Sequence, residues 1–164
     1  VGEIVVNTQF KKVPLKIKRL AHFRGELPAY QTPASSGFDV RAQLEQNSIS
    51  LSPGERALIP TGLSFEITLG FELQARPRSG LAIKNGISLV NTPGTIDADY
   101  RGEVKIIVIN LGQEVVEIKD QDRIAQLVLA PVVQAEFLLS HELSETERGS
   151  GGFGSTGVSQ VIQN

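Results

Sequence analysis

Residues 102–112 read GEVKIIVINLG and residues 123–137 read RIAQLVLAPVVQAEF. Both hold apolar runs longer than simple in-and-out alternation allows, so each is predicted to be a deeply buried strand, and the core is placed there. Working outward, VPLKIKRL (13–20) and GLSFEITL (62–69) alternate apolar and polar side chains, the pattern of strands with one wet face. Sixteen glycines and eight prolines interrupt the chain too often for long helices. Turns are signalled at SPGE (52–55), TPG (92–94) and NLG (110–112), at intervals that suit an all-β sandwich, jelly roll or barrel. SGLAIKNG (79–86) is the exception, a short helix with serine near its start and glycine at its end.

Composition narrows the function. The 164 residues fit one domain, and 40% apolar with 21% charged residues is a balance that can bury a core. A formal net charge of -2 supplies no general basic field, so direct nucleic-acid binding is not expected. The absence of cysteine removes disulfides, thiolate metal sites and thiol nucleophiles; two histidines, His22 and His141, cannot form a multi-histidine centre and are read as surface or packing residues. A metal, if used, is a hard ion held by oxygen, such as magnesium. No apolar run approaches the roughly 20 residues that span a bilayer, and the start lacks a signal-peptide pattern, so no membrane partner and a cytoplasmic location are expected.

Five polar clusters remain, each with a plain structural reading beside the chemical one. RPRSGLA (76–82) joins two arginines, a hydroxyl and a glycine just before the helix, which suits an anion such as phosphate; an ordinary capped helix would look the same. NTPGTIDADYRGE (91–103) offers an aspartate able to take a proton from water and a tyrosine able to wall a pocket, or else a polar turn on whose surface Arg101 and Glu103 pair. RGSGGFGSTG (148–157) has five glycines in ten residues around Phe153, either a solvated tail or a segment that wraps anions and stacks on a base. SSGFDVRA (35–42) and DRIAQLVLAPV (122–132) set Asp39 and Gln126 inside strand patterns, as satisfied core polar groups or as ligands.

Taken together and in order, these five clusters resemble the motifs of the trimeric deoxyuridine triphosphate nucleotidohydrolases, the dUTPases, over roughly residues 14–157. The resemblance implies an all-β, jelly-roll-like barrel with one short helix and a flexible glycine-rich C-terminal lid. It implies one domain over 1–164, with a core over about 14–140 and the lid over about 141–164. It implies a homotrimer whose active sites are shared between subunits, and hydrolysis of dUTP to dUMP and pyrophosphate with Mg2+. Such a reaction limits uracil incorporation into DNA and supplies dUMP for thymidylate synthesis.

Roles follow by resemblance at the matching positions. Asp97 becomes the general base that activates water against the α-phosphorus. Asp39 helps hold, through water, a magnesium ion carried mainly by the triphosphate. Ser79, Gly80 and Gln126 take phosphate oxygens with Arg78 in support. Asn91 and the backbone of Gly94, Thr95 and Ile96 read the uracil edge, and Tyr100 lies beneath the sugar and excludes a 2′-hydroxyl. Arg148, Phe153, Gly154, Ser155 and Thr156 close over the substrate. Departures are small: Ser36 stands where the family often has alanine, and about a dozen residues precede the usual start. The alternatives are a dCTP deaminase, which the aspartate of TIDADY argues against, and a non-catalytic nucleotide-dependent module, which the presence of all five clusters argues against.

Overall fold

A computed structural model describes residues 11–152 of the chain. Internal contacts divide the chain into two units, Val1–Val133 and Gln134–Asn164. The first carries every strand and the helix: β1 (Leu15–Arg19), β2 (Phe38–Arg41), β3 (Ser48–Leu51), β4 (Arg56–Pro60), β5 (Leu63–Ile67), β6 (Phe71–Arg76), α1 (Ser79–Asn85), β7 (Ile87–Leu89), β8 (Gly94–Ile96), β9 (Lys105–Asn110), β10 (Val116–Lys119) and β11 (Arg123–Pro131). The fold is all-β with one short helix, as its sequence predicts. No helix among the described residues is long and apolar enough to cross a membrane.

All pairings are antiparallel and most join strands far apart in sequence: β1 with β5, β3 with β10, β4 with β9 and then β7, and the run β2, β11, β6, β8. Alternation decides which side chains meet. Phe38 and Val40 of β2, Leu73 and Ala75 of β6, and Leu127 of β11 point inward with Leu63, Phe65, Ile106, Val108 and Ile124 to form one core. Each fully covered Leu or Ile contributes about 1.5–3 kcal/mol as an upper bound. The outward residues of β2, β11 and β6 are left to make a polar face, and that face becomes the site.

Two buried polar side chains tie loops to this core. Asn110, wholly covered, donates to the carbonyls of Leu51 and Glu114, each at 2.8 Å, and accepts from the Gly112 N–H at 2.8 Å. The buried Thr61 hydroxyl donates to the Val104 carbonyl at 2.6 Å. With no polar atom left unpaired, such burial carries little penalty.

The strand predicted over residues 123–137 stops at Pro131. Its partner β6 begins at Phe71, opposite Pro131, behind the turn at Gly70. Just beyond that point the Val132 N–H bonds to Gly70 O at 2.9 Å but the ladder goes no further, and proline supplies no donor of its own. Burial is also lighter than the apolar run implies, since Val128, Leu129 and Ala130 are half-covered. In the second unit, residues 134–152 form no strand or helix; a turn over 147–150 is closed by the Gly149 and Gly151 N–H groups on Thr146 and Arg148 carbonyls, both at 3.0 Å.

Candidate active site

Register places the first half of the site. Gln126 of β11 stands opposite Asp39 on one side and Arg76 on the other, a polar row across three strands. The chain leaves β6 through Pro77, whose carbonyl accepts a 2.9 Å hydrogen bond from Gln126 Nε2, so this amide is oriented by the turn it borders. Gly37 keeps that approach open: a Cβ there would lie 2.9 Å from Leu127 O and 3.2 Å from Gln126 Oε1.

Arg78 follows in extended conformation and caps α1 without a side-chain bond, leaving Ser79 as the first helical residue, exposed, with Gly80 exposed behind it. Seven residues sum to a small helix dipole, so the cations and the hydroxyl carry most of the attraction for an anion here. Arg78 Nε lies 3.1 Å from Asp39 Oδ1, and Arg123 Nη1 lies 3.3 Å from Asp39 Oδ2. Arg78 Nη1 also donates to the Arg123 carbonyl at 3.1 Å. Two guanidinium groups thus face one carboxylate, and the surplus is positive.

The second half is the segment that runs from β7, paired with β9, across to β8, paired with β6 in another sheet. Gly94 is buried opposite Ala75, and a Cβ on it would come 2.9 Å from Asn91 Nδ2, so glycine here makes room for the Asn91 amide. Thr95 and Ile96 continue β8 opposite Gln74 and Leu73. Residues 97–100 then turn, closed by the Tyr100 N–H on the Asp97 carbonyl at 3.2 Å, with Asp97 exposed and free of any ion pair among the described residues. The Tyr100 ring lies over Gly102, where any Cβ would collide with it, and its hydroxyl donates to the Glu103 carbonyl at 3.0 Å.

Glu103 anchors this turn. Its Oε1 accepts from the Gly62 N–H and meets His22 Nε2, both at 2.8 Å, and Lys105 Nζ lies 3.6 Å from Oε2. Burial pushes the Glu103 carboxyl up, but the hydrogen bonds from His22 and Gly62 and the charges of His22 and Lys105 outweigh it and hold it below the usual carboxylate range. Arg101 instead donates to the carbonyls of Ala98 and Tyr100, at 2.7 and 3.1 Å, so it does not pair with Glu103.

The two halves border one cleft of about 430 Å³, lined by Gln74, Arg76, Pro77, Ser79, Thr92, Pro93 and Gln126. The fold therefore gathers Asp39, Arg78, Ser79 and Gln126, and separately groups Asn91 with Gly94. No hydrogen bond or ion pair among the described residues joins Asp97 or Tyr100 to the group around Asp39. Arg148 lies in the second unit and donates from Nε to the Gly151 carbonyl at 2.8 Å. Phe153, Gly154, Ser155 and Thr156 lie outside the described residues. Arg123 and Glu103 went unassigned from sequence. Arg123 had a signal in its place three residues before Gln126, but only the strand register shows which way it faces.

The sequence model of the dUTPase family matches residues 24–157, most of the chain. The chain belongs to the dUTPase family. A deoxyuridine 5'-triphosphate nucleotidohydrolase of Bdellovibrio bacteriovorus is 69% identical over 147 residues, covering 90% of this chain and 98% of the relative. One from Nautilia profundicola is 58% identical over 143 residues, with 87% and 98% covered. Among solved structures, a variant of the dUTPase of Staphylococcus bacteriophage 80alpha, bound to dUpNHpp, superposes with a TM-score of 0.77 at 27% identity, covering 90% of this chain and all of that one. In this dUTPase-family chain, the polar row and the β7–β8 segment carry four of the five clusters singled out from the sequence, SSGFDVRA, RPRSGLA, NTPGTIDADYRGE and DRIAQLVLAPV.

Proposed function

We propose that this chain is a dUTP diphosphatase that hydrolyses dUTP to dUMP and pyrophosphate. The observation that carries the reading is that Ser79 and Gln126 line one cleft while register sets Asp39 opposite Gln126 and an ion pair ties it to Arg78, in a chain that matches the family across residues 24–157. Curated relatives of high identity bear the name of that activity.

In this reading Ser79, Gly80 and Gln126 hold phosphate oxygens while Arg78 supplies charge-assisted contacts. Asn91 and the backbone of Gly94, Thr95 and Ile96 face the uracil edge, and Tyr100 packs beneath the deoxyribose. Asp97 takes the proton from a water whose oxygen attacks the α-phosphorus; the bond from that phosphorus to the bridging oxygen breaks, and pyrophosphate leaves. Placement and charge do most of the work in such a displacement.

Among the described residues no three His, Asp or Glu side chains converge as a metal cage, and both Asp39 oxygens face guanidinium groups. That donor set fits a hard ion brought by the triphosphate and met by Asp39 through water. Bound there, magnesium would neutralise charge on the phosphate oxygens.

Arg148, Phe153, Gly154, Ser155 and Thr156 close over the nucleotide as a lid, and the chain acts as a homotrimer. Trimer formation is supported by large apolar side chains left exposed, Leu58 at 59% and Val133 at 95%. It also accounts for Asp97 standing apart from the group around Asp39, if motifs from different copies meet.

A substrate panel of dUTP, dTTP, dCTP and UTP, with and without magnesium, tests the whole reading through pyrophosphate release. Release from dUTP alone is the expected result. Ammonia from dCTP, or no turnover of dUTP, would overturn it.

A further inference from the structure

Strand β11 does not keep one register against β2. Arg123 stands opposite Arg41, yet Ala125 stands opposite Val40 and Gln126 opposite Asp39, so an extra residue is inserted between Arg123 and Ala125. Ile124 and Ala125 are accordingly both buried in succession. Strict alternation back from Gln126 would turn residue 124 outward and residue 123 into the core. The bulge reverses this and delivers Arg123 to the face that holds Asp39 and Gln126.

There Arg123 closes a ring. Its guanidinium holds Asp39 Oδ2 at 3.3 Å, Asp39 Oδ1 holds Arg78 Nε at 3.1 Å, and Arg78 Nη1 returns to the Arg123 carbonyl at 3.1 Å. The neighbouring cation, Arg41, is turned away to the Gln121 carbonyl at 2.7 Å. Asp39 and Arg78 are only 17% and 26% exposed, so their charges are less screened than surface pairs. With Arg123 present the cluster carries one net positive charge; without it, Asp39 and Arg78 neutralise each other and the arginine is drawn onto the carboxylate.

We propose that Arg123 is a positioning residue for the phosphate half of the site. Acting through Asp39, it holds Arg78 in place and preserves the surplus positive charge that attracts a triphosphate. This rests on the reading that the site binds dUTP, and the two can fail separately. If the parent enzyme does not turn over dUTP, the functional reading fails; if it does and Arg123 proves indifferent, only this inference fails.

The test uses the full chain with Arg123→Gln, Arg123→Lys, Asp39→Asn and the Arg123→Gln, Asp39→Asn double variant, each checked for the parent's thermal unfolding profile and assembly. Arg123→Gln should weaken binding of dUpNHpp on the order of ten-fold while leaving deoxyuridine, which has no phosphate, unchanged. Arg123→Lys, which keeps the charge, should recover part of that loss. In the Asp39→Asn background the Arg123→Gln effect should shrink to what the lost charge alone costs, because the carboxylate through which it positions Arg78 is gone. An equal loss in both backgrounds, an equal loss for deoxyuridine, or parental dUpNHpp binding by Arg123→Gln would each overturn the proposal. Should Arg123→Gln fail to fold, the same comparison of dUpNHpp with deoxyuridine is read from Arg123→Lys. There a loss confined to the triphosphate supports the role, and parental binding overturns it.

Discussion

Asp97 and Tyr100 sit in one four-residue turn, but they are asked to do different things and fail differently. Asp97 is exposed and free of any ion pair among the described residues, so its carboxylate is open to a water. Asp97→Asn keeps the shape and removes the proposed base; turnover of dUTP should drop on the order of 10²–10⁴-fold, with dUpNHpp still bound. Parental turnover in a steady-state assay would end the assignment. Tyr100 is held from both sides, by its ring over Gly102 and its hydroxyl on the Glu103 carbonyl at 3.0 Å. Removing the ring in Tyr100→Ala should raise kcat/KM for UTP relative to dUTP by on the order of ten-fold, since the 2′-hydroxyl then finds space. An unchanged ratio would show that sugar choice is made elsewhere. At this scale much of the candidate site was legible in the sequence, because Asp39, Arg78, Ser79 and Gln126, which the fold brings together, each fall in a short motif, as does Asn91 beside Gly94. Arg123 was not, because one inserted residue in β11 decides its face and no local pattern marks the insertion.

Among the elements, α1 and the strands β1, β2, β5, β9 and β11 were legible from periodicity, glycine and proline, whereas the shorter strands between them and the pairing partners were not. The pairs β1 with β5 and β3 with β10 join segments dozens of residues apart, and nothing in either segment names the other. The end of β11 shows the same limit: the apolar run continues to Phe137, but the strand ends where β6 begins, since pairing sets strand length. The end of α1 was predicted correctly from Gly86, which adopts φ 68° and returns its N–H to the Ala82 carbonyl at 3.0 Å. A methyl there would meet both an unfavourable backbone region and the Gly112 Cα at 2.6 Å. Gly54 has a similar φ of 79° with open space around it. Gly54→Ala should therefore cost only the backbone preference, about 1 kcal/mol, and Gly86→Ala distinctly more. Denaturant midpoints compare the two, and equal losses would refute the steric contribution of the contact with the Gly112 loop.

For the molecule as a whole, the proposed lid and the acid response can be tested on the same preparation. Deleting residues from Arg148 onward should leave the folded first unit intact, with its unfolding transition unmoved, while dUTP turnover largely disappears; a fully active truncation would remove the lid from the mechanism. Acid stability depends instead on carboxylates tied across the fold. Burial pushes Asp120 up, but the Leu44 N–H and the Arg24 and Gln121 side chains bound to it, with the Arg24 charge, hold it below its ordinary range, as His22, Gly62 and Lys105 do for Glu103. Each group is then more acidic folded than unfolded, so in the intervening range the unfolded chain binds more protons and stability rises with pH. The contribution is complete above the unfolded carboxylate values, about pH 4, and is lost as pH falls through the lower folded ones. Thermal midpoints should thus be insensitive to these two groups between about pH 5 and 7 and fall below about pH 4. Glu103→Gln lowers the midpoint at neutral pH, where the charged form matters, and flattens the acid limb, because the variant has no proton left to gain at that position. If the acid limb of Glu103→Gln instead ran parallel to the parent's, Glu103 would not be among the groups that couple folding to protons.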